Sequence, residues 1–123
     1  MTTIENTCTV SLMGMEFYAY HGVYSEEQKV GNKYTIDVTL WLSTCMHPHD
    51  NLNQTVDYEK VYEIVSQNMK QPKKLLETIG HDITDQLLST FIAVNKVSIH
   101  VSKHNPPIGG ICLKAQVSVD KKR

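Results

Sequence analysis

Lys103 stands at the end of a run of alternating apolar residues and just before Asn105-Pro106-Pro107, so its amine is presented by an expected strand end and a turn stiffened by two prolines. A rigidly held amine is a candidate for chemistry, although most lysines are solvated and spacing alone favours that plainer reading. Glu77 lies near the start of an expected helix, flanked by Leu75, Leu76 and Ile79. A carboxylate there gains about 0.3–1 kcal/mol from the helix dipole, and it also suits two N–H donors from a guanidine-like ring edge. Tyr58 is ambiguous in the same way, since its helical spacing makes it a core residue first and a hydroxyl donor second.

The six histidines raise the question of a metal, above all His47-Pro48-His49-Asp50. Zinc needs four convergent ligands, and no second histidine pair at a fixed helical spacing completes such a set, so this stretch reads as a polar loop. His21, in Tyr20-His21-Gly22, is expected to order its loop by hydrogen bonds. Gly109-Gly110 has no following helix and no phosphate-loop pattern, and it reads as a turn.

The elements that would position these residues follow from periodicity. Thr7 to Tyr20 is rich in strand formers and is interrupted near Gly14, where a bulge is expected. In Lys33 to Thr44, Tyr34, Ile36, Val38, Leu40 and Leu42 alternate with polar residues, the clearest strand pattern in the chain. The polar stretch from His21 to Asn32 reads as an excursion longer than a hairpin.

Tyr58, Val61, Tyr62, Val65 and Met69 recur at helical spacing, with Asp57 as N-cap and Pro72 beyond the end. Leu76, Ile79, Ile83, Leu87 and Phe91 form a second helical stripe. Period two returns with Val97, Ile99 and Val101, then with Ile111, Leu113, Ala115, Val117 and Val119. The expected order is ββααββ in one α+β domain spanning 1–123, with two helices on one face of a four-stranded antiparallel sheet.

With 123 residues and 41% hydrophobic content, the chain has enough apolar material for one core. Twelve Lys+Arg against 13 Asp+Glu, a net charge of -1, leave no footprint for a nucleic-acid partner. Cys8, Cys45 and Cys112 are odd in number and widely spaced, suggesting neither a disulfide framework nor a zinc knuckle. No apolar run approaches the roughly 20 residues of a membrane span, and Glu5 and Asn6 do not fit a secretory leader. A cytoplasmic location is the expectation.

Phe17-Tyr-Ala-Tyr-His-Gly-Val-Tyr-Ser-Glu-Glu27, Gly31-x-x-Tyr34-x-Ile36-Asp37-Val38, Thr55-Val56-Asp57-Tyr58, Leu75-Leu76-Glu77 and Lys103-x-Asn105-Pro106-Pro107-Ile108, in that order, resemble the dihydroneopterin aldolase family along nearly the whole chain. The resemblance implies the tunnelling fold, in which subunits close into a ring-shaped barrel, here a homo-octamer of two tetrameric rings with active sites between subunits. It implies retro-aldol cleavage of dihydroneopterin to hydroxymethyl-dihydropterin and glycolaldehyde in folate biosynthesis, with epimerisation as a side activity. A sister enzyme, dihydroneopterin triphosphate epimerase, would share the fold and pterin anchor; the Asn105-Pro106-Pro107-Ile108 turn and Tyr20-His21-Gly22 favour the aldolase.

By that resemblance Lys103, Tyr58 and Glu27 carry catalysis, while Glu77, Leu76, Val56, Asp57 and Glu27 hold the pterin, Val56 and Asp57 being supplied by a neighbouring subunit. The substrate's own ring imine can accept the electrons of the broken bond. Neither metal, organic cofactor nor a lysine Schiff base is then required. A lysine base has an ordinary pKa of about 10.4, so the role calls for burial or a perturbing neighbour.

Overall fold

The structure is a computed structural model that describes residues 7–43, 50–51 and 55–123. Its elements are β1 (Thr9–Ala19), α1 (Ser25–Val30), β2 (Asn32–Leu42), α2 (Tyr58–Met69), α3 (Leu76–Thr90), β3 (Val94–His104) and β4 (Lys114–Lys122). The order is therefore βαβααββ, and the expected ββααββ is corrected by one element. The polar excursion between the first two strands contains α1, six residues long and too short to carry an apolar stripe. Glu26 and Glu27 in its first turn, Lys29 in its last and Gly31 beyond it were the available signals.

The sheet is antiparallel throughout, ordered β1-β2-β3-β4, so β1 and β4 are its two open edges. The β1–β2 register slips between Leu12 and Met15, at the expected Gly14 bulge. Gly14 has a φ of 73°, and its N–H donates to an Asp37 carboxylate oxygen at 2.6 Å.

Alternation sorts the two faces. Tyr34, Ile36, Val38 and Leu40 of β2 and Val97, Ile99 and Val101 of β3 are all fully buried and point at the helices. Val61, Val65 and Met69 of α2 and Ile79, Ile83 and Leu87 of α3 close the core from the other side, each fully buried aliphatic contributing about 1.5–3 kcal/mol. The opposite face carries polar cross-strand pairs: Ser11 with Thr39 at 3.0 Å, Thr35 with His104 at 2.6 Å and Ser98 with Asp120 at 2.6 Å.

Asp57 caps α2 as expected, its carboxylate accepting the Glu59 N–H at 3.0 Å. Tyr58 and Tyr62, assigned to the core stripe by spacing, are instead exposed, because α2 turns only Val61, Ile64, Val65 and Met69 inward. The last strand begins at Lys114, so Ile111 and Leu113 belong to an exposed loop and not to the strand's apolar face.

Cys8 is disulfide-bonded, contrary to what cysteine number and spacing suggested, and cysteine usage therefore gives no support for a reducing compartment. Cys112 is a free thiol, while Cys45 and the His47-Pro48-His49 run lie outside the described residues. Among the described residues no helix is long and apolar enough to cross a membrane.

Candidate active site

The core face of β3 reads Val97, Ile99, Val101, Lys103, so the alternation that buries three aliphatic side chains also sends an amine to the helix side of the sheet. The lysine side chain is only 9% exposed. It pairs with the carboxylate of Glu27, itself 17% exposed, which α1 brings over the strand end. The plainer expectation of a solvated strand-end lysine is thus overturned: the amine is buried and ion-paired.

Glu27 is fixed at both oxygens. One accepts the Tyr24 N–H at 3.3 Å, closing the first turn of α1, and the other meets Lys103. The Lys103 hydrogen bond above all, then the Tyr24 N–H and the ammonium charge, hold the Glu27 carboxyl below the usual carboxylate range against the opposing effect of burial. Gly22 leaves room for this arrangement, since a Cβ there would lie 2.4 Å from the Glu27 Cβ.

Beneath the pair, the fully buried Tyr34 donates its hydroxyl to the His21 carbonyl at 3.0 Å, and Lys103 Nζ approaches the same oxygen at 3.5 Å. Burial raises the Tyr34 phenol above its ordinary pKa. The His21 ring is 1% exposed, and its Nδ1 accepts the Lys73 N–H at 2.9 Å. Burial first, then the charges of Lys103 and Lys73, lower its pKa to about 4, so the imidazole is neutral at physiological pH. The expectation that His21 orders its loop by hydrogen bonds holds.

A cleft of about 270 Å³ opens above the ion pair. Its lining includes Glu27 and Lys103, Leu76 and Glu77 at the start of α3, and Pro106, Pro107 and Ile108. Glu77 is exposed to this cleft from the first turn of α3, with no hydrogen bond or ion pair to the other described residues. The cleft thus combines an unpaired carboxylate, a carboxylate–ammonium pair and apolar walls, which suits a flat polar ring with donors on one edge and a reacting hydroxyl on the other.

Of the expected site residues, Lys103, Glu27, Glu77 and Leu76 come together in this cleft, whereas Val56, Asp57 and Tyr58 line a separate hollow of about 410 Å³ with Val10, Thr55 and Glu59. Val10 pairs with Leu40, and Lys103 pairs with Tyr34. Six residue steps along β2 thus separate the two ends, roughly 20 Å at the usual rise per residue. Within one chain the halves do not meet. Sequence reasoning passed over Tyr34, a phenol in an otherwise aliphatic stripe; that oddity was the signal available.

Residues 10–120 match the dihydroneopterin aldolase family. The chain is similar to the dihydroneopterin aldolase of Bacillus subtilis, at 34% identity over 116 residues, covering 93% of this chain and 97% of that protein. The chain belongs to the dihydroneopterin aldolase family. The crystal structure of Escherichia coli dihydroneopterin aldolase in complex with neopterin matches with a TM-score of 0.79 at 18% identity, covering 93% of this chain and 98% of that one. The Burkholderia thailendensis dihydroneopterin aldolase bound to guanine matches with a TM-score of 0.77 at 23% identity, covering 95% and 92%. The shared fold with these family members is α+β around a four-stranded antiparallel sheet.

Proposed function

We propose that this chain catalyses the retro-aldol cleavage of dihydroneopterin to hydroxymethyl-dihydropterin and glycolaldehyde in folate biosynthesis, in the cytoplasm. The observation that carries this reading is the convergence of the Lys103–Glu27 pair and the unpaired Glu77 in one cleft. Glu77 accepts two N–H donors from the aminopyrimidinone edge, with Leu76 against the ring. A ligand without those donors leaves the carboxylate desolvated and unpaired, which gives specificity.

The bond to be broken lies beside the ring imine of the substrate. Removal of the proton from the second side-chain hydroxyl lets that hydroxyl become the aldehyde carbonyl. The electrons of the carbon–carbon bond pass into the imine, leaving an enamine-like enol whose protonation gives hydroxymethyl-dihydropterin. Lys103 is the proton acceptor. In its ion pair the amine carries three N–H donors, so it accepts from substrate through a relay in which a proton first passes to water.

Tyr58 delivers a proton to the enol from a second copy of the chain, and Val56 and Asp57 of that copy complete the pterin contacts. This is supported by the separation of the two hollows and by the open edges of β1 and β4, which a ring of subunits would pair. A homo-octamer of two tetrameric rings fits this reading. The imine supplies the electron sink, so the reaction needs neither a metal nor a Schiff base. Readdition of the aldehyde from its other face accounts for an epimerase side activity.

Incubation with dihydroneopterin tests the proposal. Glycolaldehyde and hydroxymethyl-dihydropterin are expected in equal amounts, undiminished by EDTA and with no substrate trapped on Lys103 by borohydride. Absence of glycolaldehyde refutes the reading.

A further inference from the structure

His21 touches three segments: β2, β3 and the connection between α2 and α3. Its carbonyl receives the Tyr34 hydroxyl of β2 at 3.0 Å and faces Lys103 Nζ of β3 at 3.5 Å. Its ring Nδ1 accepts the N–H of Lys73, in the connection between α2 and α3, at 2.9 Å. Gly22 next to it donates its N–H to the Lys73 carbonyl, also at 2.9 Å. Lys73 lies four residues before Glu77, so one residue ties the strand that presents the amine to the segment that leads into the anchoring carboxylate.

An imidazole is a costly choice for this place. The ring is enclosed and sits edge-on to Tyr34 with centroids 5.1 Å apart, and its Nε2 is buried without a hydrogen-bond partner among the described residues. An aliphatic side chain would fill the same space without burying that unpaired nitrogen. What histidine supplies that a leucine does not is Nδ1 as an acceptor for Lys73.

Building on the aldolase reading, we infer that His21 is a positioning residue that fixes the distance between the Lys103 amine and the Glu77 anchor through its Nδ1 bond to Lys73. It touches no substrate. A pterin held by Glu77 stays bound when this link is lost, but its reacting hydroxyl drifts from Lys103, and a displacement of about 1 Å costs on the order of 100-fold in rate. The loss therefore falls on kcat and spares KM.

The test compares His21→Leu, His21→Asn and His21→Gln. Asparagine offers an acceptor near the Nδ1 position, whereas glutamine offers one near Nε2. Cleavage is measured per pterin-binding site, so that a partly folded preparation does not mimic a slow enzyme. His21→Leu and His21→Gln are expected to lose at least about tenfold in kcat with KM within about threefold, and His21→Asn to recover most of it. Amide hydrogen exchange at Lys73 is expected to accelerate in the Leu and Gln variants and to remain slow in the Asn variant. Unchanged kcat per site in His21→Leu, or equal losses in His21→Asn and His21→Gln, overturns the inference. Should His21→Leu fail to fold, the Asn and Gln pair decides alone. If the unmodified chain releases no glycolaldehyde, the aldolase reading has failed, while exchange at Lys73 still reports whether the His21 link exists.

Discussion

The two hollows that hold the expected site residues are built on different principles. Around Lys103 most polar groups are answered within the chain: the amine by Glu27, the carboxylate by Tyr24 and Lys103, the phenol of Tyr34 by the His21 carbonyl, while Glu77 and the buried His21 Nε2 have no partner among the described residues. Around Tyr58, Asp57 is engaged as a helix cap, and the tyrosine itself is 60% exposed. The first hollow is preorganised by its own fold. The second leaves its tyrosine side chain exposed. On the proposed function, the costly buried charges are settled in one subunit while the proton donor is left to assembly.

Breaking the preorganised half should have the largest effect. Lys103→Ala is expected to slow single-turnover cleavage by about 10²–10⁴-fold, the usual range for a general acid–base group, read by rapid quench of glycolaldehyde. Removing the unpaired carboxylate of the cleft comes next. Glu77→Ala is expected to weaken pterin binding by about 2–5 kcal/mol while costing the fold at most about 1 kcal/mol, as measured by calorimetry and by thermal melting. Collapse of the fold with unchanged affinity would make Glu77 structural.

Acid provides a third way to separate the halves. His21 has its pKa lowered from 6.5 to about 4 in the folded chain, so the unfolded state binds the extra proton first. Stability is then fully present above pH 6.5 and falls as pH drops toward 4, by on the order of 3 kcal/mol. Glu27, whose carboxyl is also held down, adds a further loss below about 4.5 as it protonates. Urea unfolding as a function of pH should show this slope in the parent chain and a flatter one between pH 6.5 and 4 in His21→Asn.

The smallest effect on the fold is expected at the exposed half. Tyr58→Phe should change stability by no more than about 0.5 kcal/mol, since the hydroxyl has no partner among the described residues. It should nevertheless unbalance the products, with glycolaldehyde appearing in the first turnover ahead of hydroxymethyl-dihydropterin. Equal release at the parent rate would return Tyr58 to a packing role.

Much of this was legible in the sequence because burial imposes a period. The β2 alternation, the Asp57 cap and the α3 stripe each follow from one face meeting a core. Where that constraint lapses, pattern misleads. Ile111 and Leu113 continue the period of β4 but stand in solvent, and Tyr58 keeps the spacing of α2 without its burial. The six residues of α1 are too few to carry a period, although α1 positions Glu27. The ion pair itself joins residues 76 positions apart, which no local pattern encodes; only the family resemblance pointed to Glu27.

The central claim is that a working site takes Lys103 from one copy of the chain and Tyr58 from another. Mixing Lys103→Ala and Tyr58→Phe chains, each deficient alone, and allowing subunits to exchange tests it directly through formation of hydroxymethyl-dihydropterin. Random mixing in a symmetric assembly places intact halves together in about a quarter of sites, so recovery toward a quarter of the parent rate is predicted. A mixture no more active than the average of its two components, after subunit exchange has been verified, would contradict the account.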